Sequence, residues 1–131
     1  MSKKRGPKPF RPWESTHENW SYFRIADDMV NSEAMKDLSD SAFRLYCGMK
    51  MEYRPDRPRK GILVPTNEKN ILYPVSKWQE QFTCHRDFNK RIKELVDHGF
   101  ITIEERGKST RTPNVYAFSD GWKTWTKPKG K

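Results

Sequence analysis

Arg86, Lys90 and Lys93 recur at i, i+4 and i+7, a spacing that gathers three cations along one ridge of a helix. His85 and Asn89 flank the start of that ridge, and Asp97 follows its end. A guanidinium can bond guanine with two parallel hydrogen bonds, and a carboxamide can do the same with adenine. A second basic group, Arg106, Lys108 and Arg111, surrounds Gly107 between two apolar runs. Such a group can lie along phosphates or place an Arg in a minor groove. Glu104 and Glu105 keep its net charge small. A third group, Lys3, Lys4, Arg5 and Lys8, lies in an opening segment without acids. The chemistry shared by the three groups is recognition of a polyanion. The plainer alternatives are a solvated helix face, a polar hairpin loop and an arm adding only non-specific affinity.

Other chemistries find no matching pattern. Cys84 and His85 are adjacent, while His17 and His98 lack spaced partners. A structural zinc needs four suitably spaced ligands, so no metal and no cofactor is expected. Gly107-Lys-Ser-Thr110 resembles the end of a phosphate-binding loop, but Thr102 stands where that motif needs its first Gly. The segment also precedes a strand, so no helix N-terminus would face a phosphate. No Ser or Cys sits in a nucleophile elbow, and the acids concentrate in residues 13–40. The expectation is a protein that is not an enzyme. Cys47 and Cys84 read as free thiols of a reducing compartment. The basic, proline-rich start has no apolar run behind it, and no apolar stretch is long enough to span a bilayer. A cytoplasmic protein without membrane attachment is expected.

The elements that must position these groups can be read from periodicity. The chain has 131 residues and a net charge of +9, with a pI near 9.7. Five Trp, seven Phe and five Tyr supply material for one core. Basic residues dominate both ends and acids dominate 13–40, which suggests basic arms on a folded body. The expected division is an arm over 1–20, a domain over 21–125 and a basic tail over 126–131. Leu38, Ala42, Leu45, Tyr46 and Met49 form an apolar stripe that predicts a helix over 38–51, with Ser39 as cap. Tyr22–Ile25 reads as a short strand and Ser32–Lys36 as a short helix. Arg54–Gly61, with two prolines and a glycine, reads as a basic loop. Ser76 and Gln79 have the spacing of a capping box that opens a short second helix. Phe88, Ile92, Leu95 and Val96 predict a third helix, ended by Gly99 as a left-handed cap. Phe100–Ile103 and Val115–Phe118 read as the strands of a hairpin with a long charged tip.

Helix, short helix, turn, helix and hairpin is the order of a winged helix-turn-helix, an α+β fold. Phe88-Asn-Lys-Arg-Ile-Lys-Glu-Leu-Val-Asp-His-Gly-Phe-Ile101 resembles the recognition helix and first wing strand of many bacterial winged-helix proteins. Leu38-Ser-Asp-Ser-Ala-Phe-Arg-Leu-Tyr46 and Asn114-Val-Tyr-Ala-Phe-Ser-Asp-Gly-Trp122 are similar to segments of winged-helix proteins carried on plasmids, phages and conjugative elements. The resemblance implies sequence-specific binding of double-stranded DNA. The role would be that of a transcription regulator, or of an accessory at a replication or transfer origin with a replication or relaxase partner. His85, Arg86, Asn89, Lys90 and Lys93 would belong to the recognition helix, and Arg106, Lys108 and Arg111 to the wing. Arg5-Gly-Pro-Lys-Pro9 resembles an AT-hook, with Pro7 in place of its second Arg. The alternative is a winged helix that docks a partner protein without reading DNA.

Overall fold

The structure, a computed structural model, describes residues 9–16, 22–107 and 113–128. Among these the elements run α1 (Asp27–Val30), α2 (Glu33–Asp37), α3 (Asp40–Lys50), β1 (Arg57–Arg59), β2 (Ile62–Val64), β3 (Ile71–Leu72), α4 (Val75–Trp78), α5 (His85–Asp97), β4 (Ile101–Glu105) and β5 (Val115–Phe118), followed by a 3-10 turn at Gly121–Lys123. The described chain is mixed α+β, with five helices and two small antiparallel sheets, an arrangement compatible with a winged helix.

The expected α3 stripe is the buried one: Ala42, Leu45, Tyr46 and Met49 lie inside. Ser39 caps this helix through its hydroxyl, which accepts from the Ala42 N–H at 3.2 Å. A second cap comes from α5. The Glu94 carboxylate accepts from the Ser39 N–H at 2.6 Å and from its hydroxyl at 2.8 Å. Arg91 donates to the Ser39 hydroxyl at 3.0 Å and to Glu94 itself. Burial pushes the Glu94 carboxyl up, but the Ser39 hydrogen bonds and the Arg91 charge outweigh it and hold the group below its ordinary value. One acid thus fixes the angle at which α5 crosses the start of α3.

α5 buries Phe88, Ile92 and Leu95, with Val96 half-buried at the margin. Its end follows the Schellman pattern: Phe100 N–H donates to Leu95 O at 3.0 Å and Gly99 N–H to Val96 O at 3.1 Å. Gly99 has φ +83, and a Cβ there would sit 2.4 Å from the Gly121 carbonyl carbon. Only glycine lets the 3-10 turn close over this helix end and bury Trp122 beneath it. Beyond the turn, Trp125 stacks on His98 with centroids 4.5 Å apart. His98 faces an acceptor with each ring nitrogen, the Glu94 carbonyl at 2.7 Å and the Asp37 carboxylate at 2.8 Å. The hydrogen bond from His98 holds Asp37 below its ordinary value, opposed by desolvation and assisted by the charge of Lys127.

The three-stranded sheet has the order β3-β5-β4, all antiparallel. Ile71, Ile101 and Tyr116 turn inward to meet α3 and α5. Trp78 stacks on Phe88 at 5.0 Å, Phe82 meets the same ring edge-on, and Tyr46 packs on Phe100 at 5.2 Å.

Several expectations differ from the structure. Tyr22–Ile25 is not a strand: it has no ladder partner among the described residues, and an unpaired strand leaves its backbone groups without bonds. Arg54–Gly61 is not simply a loop, because Arg57–Arg59 pairs with Ile62–Val64. The Ser76–Gln79 capping box does not form. Pro74 occupies the N-cap, so Ser76 already lies inside the first turn and no side chain caps α4. The first hairpin strand is shifted to Ile101–Glu105, with a bulge between Ile103 and Glu105. β3 had no signal in the sequence reading. No described helix is long and apolar enough to cross a membrane. Residues 1–8 and 17–20 of the opening basic arm and the tip of the β4–β5 hairpin fall outside the described residues.

Candidate nucleic-acid interface

The turn between α4 and α5 is held from inside. Phe82 N–H donates to Trp78 O at 2.9 Å, and the buried Phe82 ring anchors the bend. Gln81 reaches the Ser41 carbonyl at 2.8 Å, tying the turn to the start of α3. With Phe88, Ile92 and Leu95 pinned, the opposite face of α5 is set by the 3.6-residue period. His85, Arg86, Asn89, Lys90, Lys93 and Asp97 all lie exposed on it.

The cations of α5 divide into two kinds. Arg91 is consumed internally by Glu94 and Ser39. Arg86, Lys90 and Lys93 make no ion pair with any carboxylate among the described residues. Their charge is available to an outside anion. Asn89 donates its amide N–H to Nδ1 of His85 at 3.1 Å. That leaves the Asn89 carbonyl and the far ring nitrogen of His85 for an outside partner. The His85 ring rests against Trp78 and Phe88, with centroids at 5.8 and 6.2 Å.

A cleft of about 1080 Å³ separates α5 from the β4–β5 hairpin. Its floor is apolar, formed by Tyr73, Trp78, Phe88, Ile92, Ile103 and Tyr116. His85, Asn89 and Lys93 border it from the helix and Arg106 from the hairpin, so residues of two separate basic groups share one opening. Arg86 and Lys90 stand outside it on the helix face. Asn114 braces the base of the hairpin: its carbonyl accepts from the Gly107 N–H at 2.7 Å, and its amide donates to the Tyr116 hydroxyl at 3.4 Å. Burial raises Tyr116 above its ordinary value and keeps it a neutral phenol.

Lys108 and Arg111 fall outside the described residues, as do Lys3, Lys4, Arg5 and Lys8. Among the described residues no His, Cys, Asp and Glu cluster could hold a metal. Cys47 and Cys84 are free. The cleft, the Asn114 brace and the strand pairing that sets the basic Arg57, Arg59 and Lys60 on a β1–β2 ribbon were not read from the sequence. For the ribbon a signal existed: Lys60-Gly61 between two short runs has the form of a two-residue hairpin turn. No family model, curated protein sequence or solved structure matches the chain.

Proposed function

We propose that this chain is a winged-helix protein that binds double-stranded DNA with sequence preference, and that it has no catalytic role. In this reading α3, α4 and α5 form the three-helix core, α5 enters the major groove, and the β4–β5 hairpin is the wing. The observation that carries it is the exposed face of α5, where Arg86, Lys90 and Lys93 stand without carboxylate partners beside Asn89. A helix laid in a major groove presents such side chains to base edges and phosphates. Two further features support it. The strand order β3-β5-β4 suits a helix packed against a winged sheet, and Arg106 borders the same cleft as Lys93. The net charge of +9 favours a polyanion throughout. The biological setting follows the resemblance to winged-helix proteins of mobile elements: regulation in a bacterial cytoplasm, or accessory work at a replication or transfer origin.

The test is selection of bound sites from random duplex DNA, then titration of the selected and a scrambled duplex. Enrichment of a defined site, lost with Arg86→Ala, supports the reading. Equal affinity for both duplexes would leave only non-specific attraction. A second reading has one observation in its favour: the cleft floor is aromatic and apolar, a lining suited to a partner protein. That reading predicts weak, featureless binding to every duplex.

A further inference from the structure

The β1–β2 ribbon has side chains that point mostly into solvent. Every residue from Arg57 to Leu63 is exposed, with Ile62 at 71% and Leu63 at 65%. Arg59 pairs with Ile62 across Lys60 and Gly61, which both have positive φ (51 and 78). That is a type I′ turn, and a two-residue loop of this kind closes on a hydrogen-bonded pair. Because such pairs alternate along an antiparallel ladder, Pro58 and Leu63 form the non-hydrogen-bonded pair. Pro58 therefore costs the ladder nothing, and its ring blunts the outer edge of β1. Leu63 is the opposite case. Its N–H and C=O point out from the free edge of β2, the side on which that two-stranded sheet ends. The ribbon thus has one closed edge and one open edge, and the open edge reads Ile-Leu-Val.

We propose that the open edge of β2 pairs with β2 of a second copy of this chain, antiparallel, about a two-fold axis passing beside Leu63. The occupant follows from self-complementarity. Centred on Leu63, the two copies exchange both peptide hydrogen bonds of Leu63, and each Ile62 faces the other copy's Val64. All side chains meeting across the join are apolar. The cations do not oppose it, because Arg57 and Arg59 sit on the outer strands, roughly 14 Å from their counterparts at three strand spacings. At that distance physiological salt largely screens their repulsion.

The ribbon's place in the fold leaves the candidate interface open. β5 runs away from the 106–114 connection and ends at Phe118, whose N–H donates to Glu68 O at 2.9 Å. The segment leading from the ribbon into β3 therefore meets the sheet at the end opposite the β4–β5 connection. The inference stands independently of the DNA reading.

The test is sedimentation equilibrium of the full chain from roughly 5 to 500 µM, a range suited to an interface smaller than the standard size. The wild-type mass should rise toward twice the monomer, while Leu63→Pro and Leu63→Lys stay monomeric. The Pro variant removes only an outward N–H, as Pro58 already does, and the Lys variant sets like charges opposite each other. Amide exchange of wild-type Leu63 should slow as concentration rises, which needs no variant to fold. A wild type that stays monomeric throughout overturns the proposal. So does association that persists in Leu63→Lys, or one in which the Leu63 amide keeps its unprotected rate.

Discussion

Replacing Glu94 by Gln tests how α5 is fixed to the rest of the molecule. The carboxylate accepts two hydrogen bonds from Ser39 and is paired with Arg91, with only 16% of its side chain exposed. Gln keeps the size but removes the charge, and a single carbonyl cannot serve Ser39 and Arg91 together. Hydrogen bonds to charged groups are each worth about 1.5–3 kcal/mol net. Some bonding survives in the amide, so the expected loss is about 1.5–3 kcal/mol in total, of the size of a lost N-cap with a lost charge-assisted bond. For a domain of this length that lowers Tm by roughly 5–15 °C. The pH dependence gives the sharper test. Glu94 has a folded-state value below its ordinary 4.5. Its contribution is therefore complete above the ordinary carboxylate range and is lost as pH falls through the depressed folded value. Urea unfolding of wild type and Glu94→Gln at pH 7, 5, 4 and 3 measures this directly. The difference between the two should be constant from pH 7 to about 5.5 and shrink at lower pH. A difference that does not change with pH, or one below about 0.5 kcal/mol at pH 7, refutes the claim that the charge holds the helices together.

Other expectations follow from the same geometry. Arg86→Ala should cost roughly 1–3 kcal/mol on a selected duplex and much less on a scrambled one, measured by paired titrations. Lys93→Ala combined with Arg106→Ala should weaken both duplexes about equally and flatten the salt dependence by about two units of slope, one for each phosphate contact. Wild-type affinity should fall with log salt at a slope of about −4 to −7 if five to eight phosphates are met, and removing residues 1–12 should make the slope shallower. Gly99→Ala should be among the most destabilising substitutions, because its Cβ meets Gly121 backbone at 2.4 Å and φ is +83. A thermal melt within a few degrees of wild type would contradict the closed turn over the end of α5.

The sequence was informative where local chemistry and packing agree. α5 combines an apolar stripe with a terminal glycine, and both its span and its exposed basic face are readable before folding. α3 is likewise readable because Ser39 and the stripe from Ala42 to Met49 point to one helix. β3 was not readable: two residues carry no period, and Ile71–Leu72 is a strand only because β5 lies beside it. The ribbon was obscured because prolines usually mark loops, and Pro58 is tolerated solely by its place in the ladder. The α4 start was misjudged because Pro74, fixed in φ, competes with Ser76 for the cap.

The division of labour among the arginines and lysines of α5 lies at a different level. Arg86, Lys90, Arg91 and Lys93 are equivalent as letters within eight residues. Arg91 falls on the flank of the helix that faces the start of α3, where Ser39 exposes an N–H and Glu94 supplies a carboxylate. The other three fall on the outward flank, where they form no ion pair with a described carboxylate. A 100° step per residue separates these outcomes, but only the placement of α3 decides which flank is internal. The same anchoring that consumes Arg91 therefore presents Arg86, Lys90 and Lys93. If Glu94 or Arg91 is lost, the buried Phe88, Ile92 and Leu95 still decide which face of α5 is outward, but the tie that fixes its angle to α3 weakens along with stability. If α5 reads DNA as proposed, base discrimination by Arg86 should then weaken in Arg91→Ala even under conditions where the protein remains folded, with no cation removed from the face itself.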